Sequence, residues 1–190
     1  MQPEERGIPT ISATAAPLRA ASAGLVDGGW GWVRAEAFSL EVPVPEASGW
    51  RVESSSGRWF SARHVASGYG MSARAWSARR TVSRAECEEA LHVERPDLRR
   101  GAESELLHEG RASEPAGYDA WLRVWTDEDG AGTALAVGAG PGRCFAVVFR
   151  ARGNRAEVGR ALRLMADQSL SRVRVVNVEG ARAPRRVPAF

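Results

Sequence analysis

Residues 144–176 have the sequence CFAVVFRARGNRAEVGRALRLMADQSLSRVRVV. The apolar run over residues 144–149 has the length and composition typical of a buried β-strand. Asn154 is a favourable N-cap residue and predicts the beginning of a helix. The apolar positions of this helix recur on one side, at Val158, Ala161, Leu162 and Met165. A buried strand that leads into an amphipathic helix is typical of a layered domain in which helices cover a sheet.

The composition is that of a globular protein, with 190 residues of which 44% are hydrophobic and 26% charged. The formal net charge is +3, and lysine is absent. A nucleic-acid-binding protein gathers positive charge in one patch, whereas here the arginine pairs are scattered among acidic residues. We therefore expect no nucleic-acid partner. No apolar run approaches the length of a membrane span.

The two ends of the chain differ in composition from its centre. Residues 1–27 are rich in Ala, Ser, Pro and Gly and predict a flexible leader. We expect one folded domain over residues 28–178 and a loose tail over residues 179–190. Glu4 and Glu5 lie where a signal peptide would begin, and no continuous apolar core follows them. Two locations stay open: the cytoplasm, or the cell envelope if an export signal was removed from this chain.

Strands are predicted from residues that alternate between apolar and polar. Residues 38–42 have this pattern and end at a proline. Residues 59–65 and 71–78 predict a hairpin. Residues 118–126 and 133–137 predict a meander that ends at the strand beginning with Cys144.

Two helices complete the prediction. Ser83 followed by Glu86 is a capping-box pattern that begins the first helix, which must end before Pro96. The second helix covers residues 155–170. The order of strands, helix, strands and helix, with tight hairpins, predicts an α+β fold with a mainly antiparallel sheet covered by the two helices.

No motif for catalysis, a metal or a cofactor is present. The glycine-rich residues 138–142 lead into a strand and predict a hairpin turn, because a dinucleotide loop opens a helix. Residues 127–130 lack the spaced oxygen ligands of a calcium loop. His64, His92 and His108 are far apart, and none lies in a zinc-binding pattern. We therefore expect a protein that is not an enzyme, with no metal and no cofactor.

The two cysteines provide information on the cellular compartment of the protein. Cys87 lies on the inward side of the first predicted helix, and Cys144 begins the core strand. They would form a disulfide in an oxidising compartment, or stay as two buried free thiols. We favour the disulfide because the chain has only these two cysteines, each on a packed element. This preference favours the bacterial cell envelope.

The stretch Phe38-Ser39-Leu40-Glu41-Val42-Pro43, followed by Gly49-Trp50, resembles the PsbP-like family, in particular its bacterial lipoprotein and DcrB-like branches. The resemblance covers residues 32–176. It implies an α/β/α sandwich and a non-catalytic adaptor, chaperone or assembly factor. It carries over no functional residues, since the family shares a fold more than a site. A membrane would be reached only through a lipid anchor on a segment lost from this chain.

The leading functional hypothesis is an accessory protein that binds other proteins, located in the periplasm or cell envelope. Trp and Arg are enriched at binding hot spots, and the candidate partner surface is Trp59, Arg74 and Trp76. Packing in the core or at the sheet edge is the alternative for both of these tryptophans. We interpret Trp30 and Trp32, which lie among glycines, as anchors at one end of the core rather than as a stacking platform.

The alternative function is a small-ligand carrier for a lipid or an aromatic compound. Its pocket would lie between the sheet and a helix, lined by Trp121, Trp125 and Met165.

Overall fold

A computed structural model describes residues 24–55, 57–78 and 82–176. Within them, ten strands and two α-helices alternate with short 3-10 turns. The strands are β1 (Gly31–Ala35), β2 (Leu40–Val44), β3 (Trp50–Ser54), β4 (Phe60–His64), β5 (Gly70–Ser77), β6 (Glu105–Arg111), β7 (Asp119–Thr126), β8 (Gly132–Gly140), β9 (Arg143–Ala151) and β10 (Arg174–Val175). The helices are α1 (Arg84–Glu94) and α2 (Arg155–Gln168).

The strands form two antiparallel sheets. The larger sheet has seven strands in the order β3-β4-β5-β9-β8-β7-β6, and the smaller has three in the order β1-β2-β10. Every paired strand in both sheets is antiparallel. The predicted α+β fold, with a mainly antiparallel sheet and two helices, is therefore confirmed.

The two helices cover opposite faces of the seven-stranded sheet. Strand β9 shows this directly, because successive side chains of a strand point to opposite faces. Phe145, Val147 and Phe149 pack in one apolar cluster with Val158, Leu162 and Met165 of α2 and with the inner face of the smaller sheet. Cys144, Ala146 and Val148 pack in a second cluster with Cys87 and Leu91 of α1. The architecture is thus an α/β/α sandwich.

Helix α2 approaches the sheet closely at one glycine. A Cβ atom at Gly132 of β8 would lie 2.6 Å from Leu162 Cδ1 and 2.6 Å from Val158 Cγ1. The absence of a side chain at this position therefore lets the helix lie directly against the beginning of β8.

Local signals in the sequence determine the ends of the helices. The Ser83 side chain accepts a hydrogen bond from the Glu86 amide, and the Glu86 carboxylate accepts one from the Ser83 amide, which confirms the capping box. Asn154 Oδ1 accepts from the Ala156 amide at 2.9 Å. No helix in the described ranges is long and apolar enough to cross a membrane.

Two short strands and one strand boundary differ from the prediction. Phe38 lies in a 3-10 turn rather than in a strand, and Ser39 adopts a left-handed conformation at φ 52° before β2 begins. Strand β10 has only two residues, and in β1 the adjacent apolar residues Trp32 and Val33 interrupt the alternation between apolar and polar residues. Residues 1–23 and 177–190, which include most of the predicted leader and tail, lie outside the described residues.

A disulfide joins the two layers on the α1 side. Cys87 of α1 and Cys144 of β9 are bridged, with their Cα atoms 5.7 Å apart and 57 positions apart in sequence. Both cysteines are buried. The predicted bridge is present, and such bridges persist in compartments that are not reducing.

Asp97 joins the segment after α1 to strand β9. Its carboxylate accepts two hydrogen bonds from Arg95 and one from Arg150, each at 2.8 Å. The hydrogen bonds from Arg95 are the main reason that the pKa of Asp97 falls to about 2.

We expect the disulfide to contribute about 4 kcal/mol to the free energy of unfolding, because it closes a long loop in the unfolded chain. In urea titrations a reductant should lower the unfolding midpoint of the wild type. A variant with both Cys87→Ala and Cys144→Ala should have that lower midpoint with or without reductant. If the reductant leaves the unfolding midpoint of the wild type unchanged, the bridge does not contribute to stability as expected.

We expect Asp97→Asn to lower the free energy of unfolding at neutral pH. The folded pKa of about 2 lies below the ordinary value of 3.8, so the carboxylate stabilises the fold above about pH 4. That contribution is lost as the pH falls towards 2. Urea titrations at pH 7 and pH 2.5 should show a difference between variant and wild type that shrinks in acid, whereas Glu128→Gln in an exposed turn should show none at either pH.

Candidate functional site

The structure brings the predicted surface residues Trp59, Arg74 and Trp76 together at the end of α1. Glu94, in the last turn of this helix, connects them. Its carboxylate accepts a hydrogen bond from Trp59 Nε1 at 3.0 Å and another from Arg74 Nη1. The Arg74 guanidinium also lies 5.8 Å from the ring centroid of Trp76. Both tryptophans lie on the α1 face of the sheet.

These side chains are largely occupied by contacts within the protein. The Arg74 side chain is 20% exposed, and burial lowers its pKa, with a smaller effect from the positive charge of Arg58. Trp59 and Trp76 are half-buried against the cluster that contains Cys87. Their visible role is to hold the end of α1 on the sheet.

A more exposed pair of aromatic side chains lies on the smaller sheet. Trp30 is 37% and Trp32 39% exposed, so the sequence-based interpretation of both as core anchors is wrong. The alternation of β1 explains the difference: Val33 and Ala35 point into the core, which leaves Trp32 on the outer face.

Strand pairing places an arginine over one of these rings. Strand β2 lies between β1 and β10, with Trp32 opposite Pro43 and Arg174 opposite Glu41. The Arg174 guanidinium consequently lies 4.2 Å from the ring centroid of Trp32, within the range of a cation–π interaction. Trp30 Nε1 donates to Asp27 Oδ1 at 2.9 Å.

A groove of about 440 Å³ runs beside these rings. Neither Arg172 nor Arg174 forms an ion pair within the described ranges. We call this region the Trp30–Trp32 surface; its lining comprises Trp30, Gly31, Trp32, Pro43, Ser113, Glu114, Gln168, Arg172 and Arg174. It combines flat apolar area with available positive charge.

The ligand pocket predicted from sequence does not exist with the predicted lining. Trp125 is buried in the cluster on the α1 face, whereas Met165 of α2 lies in the cluster on the other face. Trp121 also lies towards α1, where the Arg84 guanidinium is 4.6 Å from its ring centroid. The sheet separates both tryptophans from Met165, so the three residues do not share a cavity.

The histidines do not converge on one site. His64 is buried, with its Nδ1 2.9 Å from Ser67 Oγ and its Nε2 3.8 Å from a Glu46 carboxylate oxygen. This arrangement stabilises the turn between β4 and β5. His92 Nε2 is buried without a hydrogen-bond partner, and burial lowers its pKa, with a further decrease from Arg99. In the described part of the chain, no three His, Cys, Asp or Glu side chains cluster as metal ligands.

Comparisons with known proteins establish the fold. No protein-family model matches the chain, and no curated protein matches it in sequence. The solution structure of cyanobacterial PsbP (CyanoP) from Synechocystis sp. PCC 6803 has a TM-score of 0.50 and 12% identity, covering 84% of this chain and 99% of that one. The Ran-binding protein Mog1p of Saccharomyces cerevisiae has a TM-score of 0.54 and 7% identity, and the match covers 79% of this chain and 97% of that one. A Mog1 mutant has a TM-score of 0.52 and 9% identity, and the match covers 78% of this chain and 97% of that one. The chain therefore has a PsbP/Mog1-like fold.

We expect Glu94→Gln to lower the free energy of unfolding by about 1 to 2 kcal/mol. The change removes the negative charge that accepts from Trp59 and Arg74 in a half-buried site, and hydrogen bonds to charged groups are the stronger ones. The matched control is Glu89→Gln on the same helix, whose exposed pair with Arg99 contributes little. Equal unfolding midpoints for the two variants would show that the Glu94 contacts do not stabilise the end of α1.

Proposed function

We propose that this chain is a non-catalytic accessory protein that binds an acidic, partly apolar segment of another protein through the Trp30–Trp32 surface. The observation that carries the proposal is the exposure of two neighbouring tryptophans beside two arginines that have no ion-pair partner in the described ranges. Trp and Arg are the residue types most enriched at the energetic centres of protein interfaces.

The surface is preorganised for such a contact. Tryptophan offers a large rigid area with few rotatable bonds, so little side-chain entropy is lost on binding. The stacked Arg174 is held near Trp32 before the partner arrives. Both arginines keep hydrogen-bond donors for a carboxylate, which favours an acidic partner segment. The single acidic residue in the groove lining is Glu114.

The fold is compatible with this role. Mog1p, one of the structures similar to this chain, is described as a Ran-binding protein. At 7% identity this is an analogy of fold, and it supports a protein-binding role without indicating which protein is bound.

For location, we propose the periplasm or another part of the bacterial cell envelope, in a protein of the lipoprotein-like, DcrB-like branch. The Cys87–Cys144 bridge supports this proposal, because disulfides are rare in a reducing cytoplasm. The cytoplasm is the alternative.

The face formed by Trp59, Arg74 and Trp76 is the second candidate for the partner surface. Its tryptophans are less available because they are half-buried against the core and Glu94. The two faces consist of different residues, so paired variants distinguish them.

We expect the double change Trp30→Ala and Trp32→Ala to weaken capture of the partner by at least about tenfold, the loss of one moderate hot-spot contribution. Immobilised wild type and variants would be incubated with envelope extract of the native host, and bound proteins quantified by mass spectrometry. Because both rings are exposed, the unfolding midpoint should change little.

The matched control is the double change Trp59→Ala and Trp76→Ala. Retained capture by the control and loss by the first variant support the Trp30–Trp32 surface. The reverse result moves the interface to the Trp59 face, and a partner profile unchanged by both variants contradicts both surfaces.

A further inference from the structure

A second concave region lies between α2 and the edge of the seven-stranded sheet. Helix α2 packs mainly on β8 and β9, so the edge strand β6 extends beyond the helix. The groove between them has a volume of about 520 Å³, within the range of small-molecule sites. We call it the α2–β6 groove, and it shares no lining residue with the Trp30–Trp32 surface.

A glycine in the helix keeps this groove open. Gly159 is in the interior of α2, where glycine is less favourable than alanine by about 1 kcal/mol. A Cβ atom at Gly159 would meet no atom within 4 Å. The close packing of α2 on β8 therefore requires a glycine at position 132 but not at position 159. At Gly159, the missing side chain leaves space in the groove.

Apolar residues form part of the lining of the groove, beside polar and charged ones. Val124 of β7 and Leu162 of α2 line it, together with Ala166. The β6–β7 register shifts between Leu106 and His108, and both Leu107 and His108 line the groove. Leu107 is 45% exposed, an apolar wall without a covering element.

The charges of the groove favour an anion at one position. Arg155 and Glu105 neutralise each other across its mouth at 2.6 Å. The side chains of Arg163 and His108 line the groove and have no hydrogen-bond or ion-pair partner among the described residues. Asp167, one turn along α2 from Arg163, is a carboxylate of the lining that has no ion-pair partner in the described part of the chain.

We propose that the α2–β6 groove binds a small amphiphile with one carboxylate and an unbranched apolar chain. The chain lies on Val124, Leu162 and Leu107, in the space that Gly159 leaves open. The carboxylate accepts hydrogen bonds from Arg163 and His108. This site is independent of the proposed protein-binding surface.

The test is isothermal titration calorimetry of the oxidised full chain with decanoate below its micellar concentration. Wild type should bind with a saturable heat. Gly159→Leu should abolish this heat by filling the groove, and its unfolding midpoint should stay equal or rise, because leucine is the better helix former. Ala156→Leu is the matched control on an exposed position of the same helix and should bind like wild type.

Charge variants test the position of the head group. Arg163→Gln should weaken decanoate binding by about tenfold, and Asp167→Asn should strengthen it. Arg160→Gln, an exposed arginine outside the groove lining, is the control. Decyltrimethylammonium should bind more weakly than decanoate to the wild type.

The proposal is overturned by any of three results: no saturable heat with decanoate, equal binding by Gly159→Leu and the wild type, or equal binding of the anionic and cationic amphiphiles. None of them bears on partner capture by the Trp30–Trp32 surface.

Discussion

The whole architecture depends on strand β9 having apolar side chains on both faces. It lies between β5 and β8, so its backbone is paired on both sides and its side chains meet a helix layer above and below. A strand with one polar face would leave one layer without a core to pack on, because side chains alternate between faces. The disulfide reinforces the α1 layer at Cys144, the first apolar position of this strand, while the other layer is held by packing and by polar contacts such as the Arg155–Glu105 ion pair.

The sequence predicted the layers well because each signal there is local. The capping box at Ser83, the N-cap at Asn154 and the alternation along β5 depend on neighbours within a few residues, and all three are present. Met71 and Ala73 are buried on one face of β5, within the strand predicted over residues 71–78. The disulfide, which we favoured over two free thiols because each of the two cysteines lies on a packed element, is also present.

The predictions of the ligand pocket and of buried tryptophans in and beside β1 were wrong because they required knowing which faces of different strands and helices pack together. Trp125 packs against α1 and Met165 belongs to α2, but alternation within a strand does not say which helix covers which face. Trp32 lies on the outer face of a separate small sheet, and because Trp32 and Val33 are both apolar, the sequence does not reveal which of them faces the core. The α2–β6 groove was missed for the same reason: an open space at Gly159 is visible only once helix and edge strand are placed together.

The bridge between Cys87 and Cys144 also affects how the molecule would withstand a protease. The turn between β7 and β8, where Glu128 and Asp129 are exposed, lies inside the segment that the bridge closes. Exposed turns are preferred sites of proteolytic nicking. A single cut there would leave two pieces, each with one of the cysteines, still joined covalently and still paired along neighbouring strands. A nicked molecule would therefore remain one particle outside a reducing environment, and both candidate binding regions would stay attached to it.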